Sequence, residues 1–261
     1  VADGRSSFVL HAPLELLARV ALLPLVEPAA RPLARQRLVL LADGFEASGP
    51  PLPPARPVDF PSPAAAAASL AAAVEDGDVD TVDQAAAWLA EHAGIRALAP
   101  LLAPTSLDRL SAAGHANIYL ALLARPAPSP LGATLLRPIA RALAVDATAR
   151  IAIPPLVDGG DANSLAAAVA SSPVLGPADT PGIAPMVLRA QDGEAFAALL
   201  DSEGRFAAPP VAPVALLHVA ARAMLQGDPA QAPYGWTHCL TMPQAVLALA
   251  GRGADPRRAA A

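Results

Sequence analysis

The chain contains no lysine: all 18 of its basic residues are arginine, the usage of a GC-rich coding sequence. Without a lysine amine there is no Schiff base, which excludes pyridoxal-phosphate and class I aldolase chemistry. A Walker A loop, whose lysine meets the phosphates, is excluded on the same ground. The single cysteine, Cys239, rules out an intramolecular disulfide and every paired-cysteine metal motif, and suits a reducing compartment. Aromatic residues make up 3% of the chain and alternating β-branched and polar runs are nearly missing, so a sheet-based core has little to build on. No window reaches the roughly 20 uninterrupted apolar residues of a membrane-spanning helix. The nearest, 110–124 and 206–221, are too short, and the second carries Pro209, Pro210 and Pro213. A net charge of −5 gives no basic field for nucleic acid, and the pairs Arg35/Arg37 and Arg257/Arg258 are too sparse to line a groove. These absences predict a soluble, cytoplasmic protein that engages neither membrane nor nucleic acid. The sequence opens on Val1, not methionine, so an N-terminal address could have been trimmed.

What is present is alanine and leucine. The apolar fraction is 54%, inflated by alanine, the best helix former. A chain of 261 residues suffices for one domain with a sizeable core. The expected fold is all-α: a single domain, 1–261, of roughly ten helices arranged as helical hairpins, wrapped by an extended proline-rich strap. Pro13 suits the first turn of a helix reaching about Leu23, and Pro24 and Pro28 end it. A second helix is expected from Pro32 to Ala47, closed by Gly49. Residues 50–63 hold seven prolines and form the strap or linker. Then come Ala64–Glu75 and a helix capped by Asp78 or Asp80 that runs through His92 and stops at Gly94. Thr105-Ser106-Leu107-Asp108 resembles a capping box opening a helix to about Arg125. Shorter helices are expected at Leu131–Val145, Asn163–Ser171, Ile183–Gln191 and Glu194–Leu200. Val211–Gln226 is a clear one, and Met242–Ala250 follows with Thr241 as N-cap. Irregular pieces, 150–160 and 176–182, join them.

The candidate chemistry lies in the histidines. His11, His115 and His218 sit in long apolar stretches, and His238 lies in the cluster Trp236-Thr237-His238-Cys239. Imidazole is the commonest metal ligand and titrates nearest neutral pH, so this placement points to a buried polar site. At helical spacing His115 shares a face with Ser111, Ile118, Tyr119 and Leu122. Gly114 beside it allows another backbone close, and Asn117 is one of two asparagines in the chain. His115 is either a site residue or a core histidine bonded to a carbonyl. His218 shares a stripe with Val214, Ala221 and Leu225. That face is otherwise dry, so the ring, buried there, needs a carbonyl, carboxylate or metal partner. His11 and Glu15, four apart, can present two ligands on one face, although Pro13 places His11 just before the first turn. Glu15 alternatively complements the helix N-terminus. His238 and Cys239 are neighbours and cannot form a dyad. Cys239 reads as a small hydrophobe, and His238 with Trp236 as pocket lining. His92, near a helix C-terminus, reads as structural. The acidic run Glu75–Asp80 lacks the ligand pattern of an EF-hand and reads as a capped turn. The intervals between His11, His115 and His218, 104 and 103 residues, carry too little shared sequence to establish a repeat. No nucleophile elbow, dinucleotide fingerprint or HExxH motif is present, and the sequence is silent on a nicotinamide cofactor.

His11-Ala12-Pro13-Leu14 opening an apolar helix, Gly114-His115-Ala116-Asn117-Ile118 in a central one, and His218 and Thr237-His238 in the last third resemble questin oxidase-like helical proteins. The resemblance rests on short stretches spread over most of the chain. It implies an all-helical fold with a histidine-lined metal site, holding iron or another divalent metal. The implied activity is oxygen-dependent oxidation of an aromatic polyketide such as an anthraquinone. Members of that kind also draw on a lysine-derived ligand, for which Glu15 or water would substitute here.

Two functions are therefore expected to compete. In the first, a non-haem metal-dependent oxidoreductase, His11, His115, His218, His238 and Glu15 hold the metal, with His115, His218 and Tyr119 at the reacting centre. Tyr119 and Trp236 then shape a pocket for a small hydrophobic molecule. In the second, a non-catalytic ligand-binding or scaffold protein, the histidines are scattered through the core and satisfied locally. Haem ligation is a third reading, without an attachment motif to support it.

Overall fold

Alanine- and leucine-rich segments fold as helix here even across several prolines. The computed structural model describes residues 7–44, 53–109, 114–123, 132–145, 153–171, 197, 199–208, 213–226 and 235–252. In chain order its helices are α1 (Ser7–Leu22), α2 (Arg31–Asp43), α3 (Pro63–Asp76), α4 (Val79–His92), α5 (Ile95–Ser106), α6 (His115–Leu123) and α7 (Gly132–Val145), then α8 (Ala162–Ser171), α9 (Pro213–Gln226) and α10 (Gly235–Ala250). Two short 3-10 turns, Leu23–Leu25 and Pro28–Ala30, join α1 to α2. Strands β1 (Leu156–Asp158) and β2 (Phe206–Ala208) pair in parallel, Leu156 opposite Phe206. The fold is all-α, with ten α-helices among the described residues. Its contacts cluster in two units: Val1–Leu102 with Ile118–Ala147, and Ala103–Asn117 with Thr148–Ala261.

The core of the first unit is α4 packed between α3 and α7. Ser62, in extended backbone, caps α3 by accepting a hydrogen bond from the Ala65 amide, and Pro63 takes the first helical position, where its missing N–H costs nothing. Gly77, at φ +68°, ends α3 in the left-handed conformation. The Asp78 amide reaches back to Ala73 while the Asp78 carboxylate accepts from the Thr81 amide, so two residues both close α3 and open α4. The acidic run is thus the capped turn its composition suggests. Leu70, Val74, Val82, Leu89, Leu136, Ile139 and Leu143 are buried in this unit. Each such side chain contributes roughly 1.5–3 kcal/mol. Asp83, also buried, receives both Arg137 and Arg141 of α7.

Residues 53–60 of the proline-rich segment carry no regular structure, as expected. Phe60 meets Trp88 of α4 edge-on at 5.6 Å, which fixes the strap to the helix. Trp88 in turn stacks on His92 at 4.1 Å, and the His92 Nδ1 lies 2.9 Å from the Trp88 carbonyl. His92 closes the last turn of α4 as a structural residue.

In the second unit α9 packs against α8 and α10. Asp161 caps α8 through the Ser164 amide. Asp201 organises the loop before β2, accepting from the amides of Glu203 and Arg205 and pairing with the Arg205 guanidinium.

Several expected boundaries move. Pro13 and Pro243 lie inside α1 and α10 instead of opening them, so His11 is within a helix, and Thr241 is an interior residue, not a cap. Each interior proline forfeits one backbone bond, but good helix formers on both sides carry the helix through. Helix α2 stops at Gly44, before the expected end at Ala47. Thr105–Asp108 closes α5 instead of opening a helix: the Arg109 guanidinium caps the Thr105 carbonyl and the Arg109 amide the Ser106 carbonyl. Helix α5 itself was hidden by Pro100 and Pro104. Within the stretch expected to be irregular, 156–158 forms β1. Ile183–Gln191 lies outside the described residues, as does most of Glu194–Leu200. None of the described helices is long and apolar enough to cross a membrane.

Candidate functional site

Buried polar side chains concentrate in one stretch. Among the described residues Asp83, Ser106, Arg109, His115 and Asn117 are buried, and all but Asp83 fall between 106 and 117, in the second unit. Ser106 is satisfied by the Ala103 carbonyl and Arg109 Nε by that of Thr105. The chain then enters α6 through Gly114 at φ +80°, a conformation that side chains with a Cβ rarely adopt. A Cβ at Gly114 would stand 2.8 Å from the Met242 sulfur of α10. The close approach that Gly114 permits is therefore made by a side chain, not by a backbone.

Because α6 starts at His115 and not near Thr105, His115 occupies its first position; the expected partner on its face, Ser111, lies outside the described residues. His115 is 5% exposed. Two residues on, Asn117 is fully buried, and neither its Nδ2 nor its Oδ1 meets a hydrogen-bond partner among the described residues. A buried amide left unpaired costs about 1–3 kcal/mol. Tyr119, which falls in the first unit, is also fully buried, its hydroxyl without a partner among the described residues, and burial pushes its phenol far above the usual range.

The other predicted ligands are placed differently. His218 is exposed on α9, and its stripe is not dry: Val214 and Leu225 are 66% and 73% exposed. None of the described residues of α9 is buried, although the helix packs against α8 and α10. His11 is half-buried on α1 in the first unit. Glu15 is committed on its own helix, accepting from Arg19 Nε at 2.9 Å and Nη2 at 2.6 Å. The side chains of Trp236, His238 and Cys239 lie outside the described residues; along α10, His238 comes one turn before Met242. Among the described residues no three histidine, cysteine, aspartate or glutamate side chains assemble into a group that could hold a metal ion. The described donors do not by themselves fit an iron centre.

Sequence reasoning missed Ser106, Arg109 and Asp83. The available signal was slight: Leu107 and Leu110 bracket the Asp108-Arg109 pair, and Val82, Ala85 and Ala86 lie near Asp83, while Ser106 carried none. No protein-family model, curated protein or solved structure matches the chain. Fold and site together define an all-α protein with a buried polar segment leading into a short central helix.

Proposed function

We propose that this chain binds a small, largely apolar molecule that carries one hydrogen-bonding edge, held at the start of α6. The observation that supports this is Asn117, a carboxamide kept fully buried with both its donor and its acceptor unspent. A carboxamide offers two N–H donors and a carbonyl, so it pairs with a ligand presenting a hydroxyl beside a carbonyl, as hydroxylated aromatic ketones do. Met242 on Gly114 is the adaptable neighbour: its unbranched thioether can repack around a guest. Equilibrium binding of 1-hydroxyanthraquinone, followed by its visible absorbance, tests the proposal. Saturable binding that Asn117→Leu removes, while the same change raises unliganded stability by about 1–3 kcal/mol, is the expected result. Binding that Asn117→Leu leaves intact would end the reading.

A second reading has such a molecule oxidised with oxygen at a histidine-bound metal, as the family resemblance implies. It is favoured by one placement: His238 precedes by one turn the residue that packs on Gly114, next to His115. His115 and His238 would hold the metal, which would supply oxygen activation, while Asn117 orients the substrate edge. Metal analysis of purified protein decides it: absence of iron, manganese and zinc, or metal content unchanged by His115→Ala, removes it.

A further inference from the structure

Helix α2 belongs to the first unit, yet none of its residues is buried. Leu33, Val39 and Leu40 on it are each more than half exposed, as are Leu22 and Leu25 at the end of α1 and in the following turn. Between the two helices lies a groove of about 320 Å³. That volume falls at the small end of sites for small molecules, near 300 Å³ and upward. Leu22, Leu23, Val26 and Leu38 make it apolar, and among the described residues that line it Arg19 and Arg37 carry the charges, both positive. The two arginines are not equivalent. Arg19 already spends Nε and Nη2 on Glu15, whereas Arg37 makes no hydrogen bond or ion pair among the described residues. The groove is also preformed. Arg31 ties the connecting turn together, donating to the carbonyls of Val26 at 2.9 Å and Pro24 at 3.1 Å.

From this combination we infer that the α1–α2 groove binds an anionic amphiphile, a carboxylate on an aliphatic chain, independently of the α6 site. The chain lies along the leucines, and the carboxylate meets Arg37, whose planar fork matches two carboxylate oxygens. Arg19, held by Glu15, contributes its remaining N–H groups. Charge of a single sign at the rim of an apolar trough selects an anion over a neutral chain of equal length. The small volume selects a single aliphatic chain over a packed helix.

Calorimetric titration of the full chain with decanoate, octanoate and 1-decanol, all below micelle formation, tests the inference. Decanoate should bind one to one, about tenfold or more tighter than 1-decanol, because a charge-assisted pair is added. Octanoate should bind about fifteenfold more weakly than decanoate, since each of the two buried methylenes it lacks is worth roughly a fourfold change. Arg37→Gln should lower decanoate affinity to that of 1-decanol without altering the latter. Ala34→Trp, which fills the groove, should abolish both while leaving the circular dichroism spectrum unchanged. Asn117→Leu should change neither. Equal affinity for decanoate and decanol, survival of binding in Ala34→Trp, or its loss in Asn117→Leu would each overturn the assignment. So would a concentration-dependent dimer that Ala34→Trp dissociates and decanoate does not, which would give the groove to a second copy.

Discussion

Asp83 and Arg137 meet across the α4–α7 interface, with Nη2 2.9 Å from Oδ2 and Nε 3.4 Å from Oδ1, and Arg141 adds a third contact at 2.6 Å. One carboxylate serves two guanidiniums whose side chains are 15% and 14% exposed. Removing it leaves two arginines without their shared anion in a poorly solvated place. Asp83→Asn should therefore cost about 3–5 kcal/mol, read from the urea midpoint, because the cost is that of an uncompensated buried charge. Glu15→Gln, which breaks the exposed Glu15–Arg19 pair, should cost at most about 1 kcal/mol. Similar losses at the two sites would contradict the packing described for α4 and α7.

Gly114→Ala should destabilise the second unit by about 1–3 kcal/mol, through left-handed strain and a clash with Met242. Met242→Ala in the same chain should recover only the clash, since φ at 114 remains positive. Thermal denaturation of the single and double variants separates the two contributions. Full recovery in the double variant would show that backbone conformation at 114 is immaterial.

Tyr119→Phe removes a buried hydroxyl that has no partner among the described residues. Deleting an unsatisfied polar group of this kind is neutral or stabilising, by up to about 1–3 kcal/mol. A loss of more than about 1 kcal/mol in the denaturant midpoint would mean the hydroxyl is bonded after all. Ultraviolet titration gives a second check: burial raises the phenol's pKa, so Tyr119 should not ionise until the fold opens at alkaline pH.

Asp78, Asp161 and Asp201 all titrate below the ordinary aspartate value. For Asp78 the Thr81 hydroxyl is the main cause, for Asp161 the amides of Asn163 and Ser164, and for Asp201 the Arg205 amide. A depressed folded pKa means the caps stabilise fully above the unfolded value, about 3.9, and are lost as pH falls through the folded one. The first turns of α4 and α8 should then loosen only below about pH 4. Carboxyl carbon chemical shifts followed by NMR from pH 6 downward check this. Midpoints at or above the unperturbed value would refute the capping roles.

Much of the helical skeleton was legible because its signals are local. Asp78 is a cap whose chemistry is complete within a few residues, and α3, α4, α7, α8 and α9 begin and end within two or three residues of their expected bounds. Pro13, Pro100, Pro104 and Pro243 misled because a proline's lost bond is a local cost that flanking helix formers and packing outweigh. The site was only half legible. His115 and Asn117 stood out as polar residues in an apolar stretch, and both are buried. His218 stood out equally, yet it is exposed, because a stripe of apolar residues does not say which side of a helix finds a neighbour.

The sequence by itself determined that this protein is helical and how half of its described helices begin and end, since propensity and capping act over a single turn. Tertiary structure alone decided which face of each helix is covered, that Asp83 is enclosed by two arginines from a helix more than fifty residues away, and that α2 remains uncovered. Burial is set by what packs against a surface, and that depends on residues distant in the chain.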